Sequence, residues 1–244
     1  TNLRVPAFTA TRQGMPLSSF YGYTIDGIFQ SDDEAAAHAK QSNGTSYIAG
    51  QFKFRDINND GFINAGDQGF IGNPHPDFTY GLNVNLEFKN FNFTAFAQGV
   101  QGNQIFNYVR YWTDFQTFQG NRSKRMLYDS WRPGKTDAKL PQLRSGDAAS
   151  SVPSTYFLED GSYLRIKNLQ LGYNLPLGWI SKLGLGSANI YIQAQNMFTF
   201  TKYTGLDPEI NLRGYGAGND RQLGVDEGAY PVSKNLLLGV NVSF

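Results

Sequence analysis

The 244 residues carry 21 Lys and Arg against 20 Asp and Glu, a net charge of +1, which argues against nucleic acid as the main partner. Cysteine is absent, so a disulfide scaffold and a thiolate zinc site are excluded, and with only two histidines, His38 and His75, a catalytic triad or a multi-histidine centre has little support. No apolar run approaches the ~20 residues of a membrane helix, yet a transmembrane β-barrel, which crosses in ~10-residue alternating segments, stays open.

The opening "TNLRVPAFTA" has no charged start followed by an apolar stretch, so no signal peptide is expected at this point. "FYGYTIDGIF" (residues 20–29) is expected to form a long strand. "SDDEAAAHAK" (31–40) has a Ser cap and acids in its first turn, which predicts a short helix with His38 exposed. A shorter hairpin strand is expected over residues 47–55. After it comes "DINNDGFINAGD" (56–67), in which oxygen-bearing side chains fall at positions one, three, five, nine and twelve, with glycine at six. That is the order of a calcium loop. Asp56, Asn58, Asp60, Asn64 and Asp67 would supply side-chain oxygens and Phe62 its carbonyl, with Ca2+ in a structural role. The competing reading is a set of Asx turns without an ion. His75, between two prolines, is given no chemistry.

"FTYGLNVNLEF" (78–88) alternates without a fault, apolar against polar, and "FNFTAFAQ" (91–98) returns after a tight turn at Lys89 and Asn90. Residues 102–161 make a long connection rich in aromatics: Phe106, Tyr108, Tyr111, Trp112, Phe115, Phe118, Tyr128 and Trp131, interleaved with Arg110, Asp114, Arg122 and Arg125. Aromatic faces stack on sugar rings or pack on peptide side chains, so Tyr108, Arg110, Tyr111, Trp112, Asp114, Phe115 and Trp131 are the candidates for ligand contact. Their competing role is the loop's own core. A short helix capped by Ser123 and stopped by Pro133 is expected within it. "YLRIKNLQLGYN" (163–174) alternates with a slip at Lys167 and Asn168, which predicts a bulge. A link over 175–187 leads to "IYIQAQNMFTF" (190–200), a long connection over 202–230 follows, and "KNLLLGVNVSF" closes the chain. The glycine-rich 213–220 has no strand-to-helix context and is read as a loop, not a phosphate cradle.

Six long strands result, all-β and antiparallel. Their alternation fits a barrel with lipid outside, and equally a soluble extracellular β-sandwich that binds carbohydrate with calcium. Unequal connections and aromatics at strand ends (Phe78, Phe88, Phe198, Phe200) lean towards the barrel. Paired catalytic carboxylates are wanting: Glu159 and Asp160 are adjacent, so on a strand they point to opposite faces. No enzyme is expected.

Four stretches carry a family resemblance: "FYGYTIDGIFQ", "FKFRDINNDGFINAGDQGFIGNPHPDFTYG", "FLEDGSYLRIKNLQLGYNLP" and "IYIQAQNMFTFTKYTGLDPEI", followed by the terminal "YPVSKNLLLGVNVSF". As a set they resemble the last part of SusC/RagA-type TonB-dependent transporters of Bacteroidota. The resemblance implies that residues 1–244 form the C-terminal part of a 22-stranded outer-membrane barrel. A plug and TonB-contacting segment would lie elsewhere in the protein. It implies import of oligosaccharides or peptides, with the TonB complex, the remaining barrel strands and a SusD-type surface lipoprotein as partners. Such barrels end on a strand that runs to the periplasm. Counting back puts residues 30–76 and 102–161 outside the cell, and Asn83, Asn85, Asn92, Gln98, Gln193 and Gln195 in the lumen.

Overall fold

The computed structural model describes residues 8–115, 120–144, 149–210 and 223–244; Phe118 and the glycine-rich 213–220 lie outside them. Short strands β1 (Thr9–Ala10), β2 (Ser19–Tyr23) and β3 (Ile25–Ile28) come first, then helix α1 (Asp32–Ala36). Strands β4 (Lys40–Gln41), β5 (Phe52–Phe54), β6 (Phe62–Ile63) and β7 (Gln68–Gly72) lead to the long hairpin β8 (Phe78–Phe88) and β9 (Phe91–Gln101). Next are β10 (Gln104–Asn107), α2 (Val109–Thr113), α3 (Arg125–Tyr128) and β11 (Leu158–Asp160). Then come β12 (Tyr163–Asn174), α4 (Leu177–Ile180), β13 (Ser187–Thr201), β14 (Val225–Asp226) and β15 (Asn235–Ser243).

These elements form two units. Pro76–Asn103, Asp160–Glu209 and Tyr230–Phe244 make a sheet unit; the rest of the described chain makes an aromatic unit.

In the sheet unit the order is β15-β13-β12-β9-β8, every pair antiparallel. Register puts Leu82, Leu86, Phe93, Leu171, Ile192 and Leu238 on one face. That face is exposed: Leu82 is 61 % accessible, Phe88 70 % and Leu238 79 %. Asn83, Asn85, Asn92, Gln98, Gln193 and Gln195 share the opposite face. Amides pair across strands there, as in Gln193 Nε2 to Asn168 Oδ1 at 2.7 Å and Asn189 Nδ2 to Asn174 Oδ1 at 2.7 Å. The expected bulge lies where predicted, between Ile166 and Asn168. Against β9, Lys167 is the extra residue, and it lets Ile166 and Leu169, three apart in sequence, share the apolar face; against β13 the extra residue is on β13, where Asn196 and Met197 lie opposite Lys167. The tight turn is made by Lys89, at φ 53°.

Glycines mark the ladder. Tyr80 lies over its cross-strand partner Gly99, Tyr191 over Gly239, and Asn92 against Gly172; a Cβ at any of these glycines would collide with the facing side chain.

The aromatic unit buries rings rather than aliphatics. Phe8, Phe20, Phe29, Phe52, Phe54, Phe106, Phe115 and Phe157 are all buried. Phe106 stacks on Phe8 at 4.8 Å and on Phe157 at 5.1 Å, inside the range where offset rings attract. Helix α1 forms as expected: Ser31 accepts the Glu34 N–H, and Glu34 accepts the Gln30 N–H.

The structure departs from four expectations. Residues 20–29 are not one long strand, so the long strands number five. β2 pairs with β1 and β7, while β3 pairs with β5. The chain bends between them because both faces of β2 are occupied: Phe20, fully buried, and Gly22, pressed against the Pro153 carbonyl, share one face, and Tyr21 lies edge-on to Phe70 at 5.6 Å on the other. The strand expected over 47–55 shrinks to β5. His38 is half-buried, edge-on to Phe29 at 5.2 Å, rather than exposed. In the 102–161 connection, the expected helix is a single turn, α3, with Ser123 Oγ accepting the Arg125 N–H.

Candidate functional site

The residues singled out by sequence fall in three places. The first is the loop at 56–67. Asn59 at φ 57° and Gly61 at φ 81° turn it, and the space around Gly61 is open. Its side chains bind its own backbone. Asp67, fully buried, accepts the N–H of Ile57 at 2.9 Å and of Asn64 at 2.8 Å. Asp56 Oδ2 accepts the Gly61 N–H at 2.9 Å. Asp60 accepts from Phe62 N–H at 2.8 Å, from Asn58 Nδ2 at 2.9 Å and from Asn64 Nδ2 at 3.3 Å. The Phe62 N–H bond, first among its contacts, holds the Asp60 carboxyl below the ordinary aspartate range. Asn64 Oδ1 accepts from Gly66 at 2.7 Å. Asx turns therefore account for most of the pattern. One feature fits a cation: Asp56 Oδ1 is buried without a hydrogen-bond partner. Among the described residues no three of His, Cys, Asp and Glu gather at one point, and the other donors of the loop's pattern are the amide oxygens of Asn58 and Asn64 and the Phe62 carbonyl.

The second place is the aromatic unit's core. Helix α2 brings Tyr108, Tyr111 and Trp112 together; Tyr108 stacks on Tyr111 at 5.0 Å and meets Trp112 edge-on at 5.8 Å. Tyr108, Asp114, Phe115 and Trp131 are buried, while Arg110, Tyr111 and Trp112 keep partial exposure. A ligand touches only accessible atoms, so the described geometry leaves Arg110, Tyr111 and Trp112 as the reachable members of the set. Polar groups thread this core. Asp114 Oδ2 accepts from Arg125 Nη1 at 2.7 Å and from the Tyr156 hydroxyl at 2.6 Å. Arg110 pairs with Glu159 at 2.9 Å and lies over the Tyr156 ring at 5.4 Å. Burial, and then the Asp114 charge, push the Tyr156 phenol far above its ordinary value. Burial, then Tyr111 and Glu227, push Tyr108 up to about 12. Trp131 donates Nε1–H to Gln30 at 3.0 Å, which fixes its ring as structural.

The third place was not foreseen. On the polar face of β12, Arg165 joins Asp207 and Glu209, with Lys167 beside them. The acids lie 42 and 44 residues further along, so nothing local in the sequence signals the contact.

No family model matches the chain. Curated relatives do. It is 36 % identical over 234 residues to TonB-dependent receptor P3 of Formosa agariphila, covering 96 % of this chain and 23 % of the relative. It is 30 % identical over 192 residues to TonB-dependent receptor SusC of Bacteroides thetaiotaomicron, covering 78 % of this chain and 17 % of SusC. Among solved structures, the RagAB peptide transporter superposes with a TM-score of 0.71 at 25 % identity, over 98 % of this chain and 24 % of that one. The same importer in its open-open state shares the fold, with a TM-score of 0.66. The chain thus spans about a quarter, or less, of the length of the proteins it matches. A long-stranded antiparallel sheet, apolar on one face and polar on the other, is what a piece of such a barrel wall requires. In sequence and in fold the chain belongs to the SusC/RagA-type TonB-dependent receptors, of which it is a C-terminal portion.

Proposed function

We propose that the receptor containing this chain imports oligosaccharides or oligopeptides across the outer membrane, energised through TonB and closed from outside by a SusD-type lipoprotein. The carrying observation is the two-faced sheet. Leu238 and Phe88 stand exposed on an apolar face, and an amide-rich face lies behind them. In water that apolar face would need a second sheet over it, and the described residues supply none; in a bilayer, lipid covers it. The same observation disfavours the soluble carbohydrate-binding sandwich.

Strand direction supports an orientation. With β15 running to the periplasm, the turn at Lys89 and the link holding α4 are periplasmic, and the connections that follow β9 and β13 leave on the exterior side. Tyr111 and Trp112 then offer their rings to substrate or lid, beside the Arg110–Glu159 pair. Growth of a receptor deletion strain, complemented with wild-type or Trp112→Ala receptor and supplied in turn with defined oligosaccharides and oligopeptides, tests the reading. Uptake of one class, lost on deletion and weakened by the substitution, is expected. Wild-type growth of the deletion strain on every oligomer would sink it.

For the loop at 56–67 we assign a calcium ion that stiffens an exterior loop, supported by the order of its oxygen donors and by the unpartnered Asp56 Oδ1. Millimolar calcium should slow amide exchange over residues 56–67, chelator should reverse this, and Asp56→Ala should abolish the difference. Identical exchange with calcium and with chelator would leave the Asx turns as the full account.

A further inference from the structure

Arg165 is 2 % exposed, on the polar face of β12. Its Nη2 reaches Asp207 Oδ1 at 2.5 Å, its Nη1 reaches Glu209 Oε2 at 2.5 Å, and its Nε donates to Thr199 Oγ1 at 2.9 Å. Lys167 Nζ binds both oxygens of Glu209, at 2.6 and 2.7 Å. Two cations and two anions balance. The acids sit on the limb that leaves β13. Asp207 also reaches the limb that returns to β15, where its Oδ2 accepts the Val232 N–H at 3.0 Å. One carboxylate therefore ties both limbs of the connection to the wall.

The ladder shows why a tie is needed. β13 pairs with β15 only from Ser187–Ser243 up to Gln195–Asn235. Beyond Gln195, β13 runs on to Thr201 against β12 alone. At the parting point Asn196 takes φ 52°, and its Nδ2 donates to Ser233 O at 3.2 Å. Residues 202–210 and 230–234 hold no strand or helix of their own.

We infer that Arg165 is a positioning residue, a charged latch that holds both limbs of the β13–β15 connection against the polar face of the wall, where strand pairing has stopped. The forked guanidinium suits the task because it engages two carboxylates and a hydroxyl at fixed angles, as an ammonium does not. Burial makes Arg165 hard to replace: without it the buried Asp207 carboxylate loses the guanidinium that balances it. This goes beyond the importer reading, and its test needs no transport.

Hydrogen–deuterium exchange on the full receptor in detergent, comparing wild type with Arg165→Met, Arg165→Lys and Asp207→Asn, is the experiment. Arg165→Met keeps an unbranched apolar stem and removes the charge; Asp207→Asn lies outside every strand and leaves the wall intact. Each should speed exchange on the order of tenfold or more over both 203–209 and 230–234. The β8–β9 hairpin should exchange as in wild type, and Arg165→Lys should restore the limbs only in part. Unchanged limbs in Arg165→Met and Asp207→Asn, a change in one limb alone, or equal acceleration of the hairpin would overturn the latch.

Discussion

Tyr156 and Tyr108 show how burial writes acid–base behaviour into single side chains. Both phenols are raised from 10.0, first by desolvation; Tyr156 also donates its proton to the buried Asp114 carboxylate at 2.6 Å. A raised folded-state pKa means that the folded chain keeps protons the unfolded chain gives up. The stabilisation is therefore complete below pH 10 and falls as pH climbs from 10 towards the Tyr108 value of about 12. Phenolate absorbance on an alkaline titration should show these two tyrosines ionising above the ordinary tyrosine range, and unfolding free energy should decline across that window. In Tyr156→Phe the decline should be shallower. The substitution should also cost about 1–3 kcal/mol at neutral pH, because Asp114 loses a buried hydrogen bond. The aromatics of this unit were legible in the sequence as residues and as a cluster. Their burial was not, since stacking rings and ligand-facing rings have the same spacing. The Arg165 latch was invisible for a different reason: its acids are near only in space.

At the scale of the element, periodicity carried most of the information. β8 and β9 emerge where alternation is unbroken, and the fault at Lys167 locates the bulge in β12. Residues 20–29 alternate less cleanly, and there tertiary packing on both faces split one expected strand into β2 and β3. The bulge makes a paired prediction. Deleting Lys167 joins Ile166 directly to Asn168 and leaves apolar and polar residues alternating, so the receptor should still assemble. Deleting Gln170, three residues on, turns Leu171 and Tyr173 to the lumen and Asn174 to lipid. Heat-modifiable mobility of the assembled barrel should survive the first deletion and vanish in the second. If both assemble equally, the faces do not specify the strand.

At the scale of the whole molecule, the sheet unit ends on β8 and β15, which have no further neighbour strand among the described residues, and it leaves an apolar face in the open. Edge N–H and C=O groups have no water to bind inside a bilayer, so other strands of the receptor must complete the ladder. Produced by itself, the chain should pellet from plain buffer and stay dispersed only in detergent, read by sedimentation. A folded monomer without detergent would contradict the wall.

The glycine pairs have a consequence for error correction during assembly. A strand that slips by two residues keeps every side chain on its proper face, so hydrophobic patterning cannot reject it. Steric fit can. Slipped by two, the ring of Tyr80 meets Ala97 or Gln101 in place of Gly99, and Tyr191 meets Leu237 or Asn241 in place of Gly239. Each has a Cβ in the space the ring needs. Asn92 over Gly172 gives the β9–β12 seam the same check, and the bulge offsets the remaining one between β12 and β13. Every seam of the sheet thus carries its own proofreading mark, read by shape where polarity is blind.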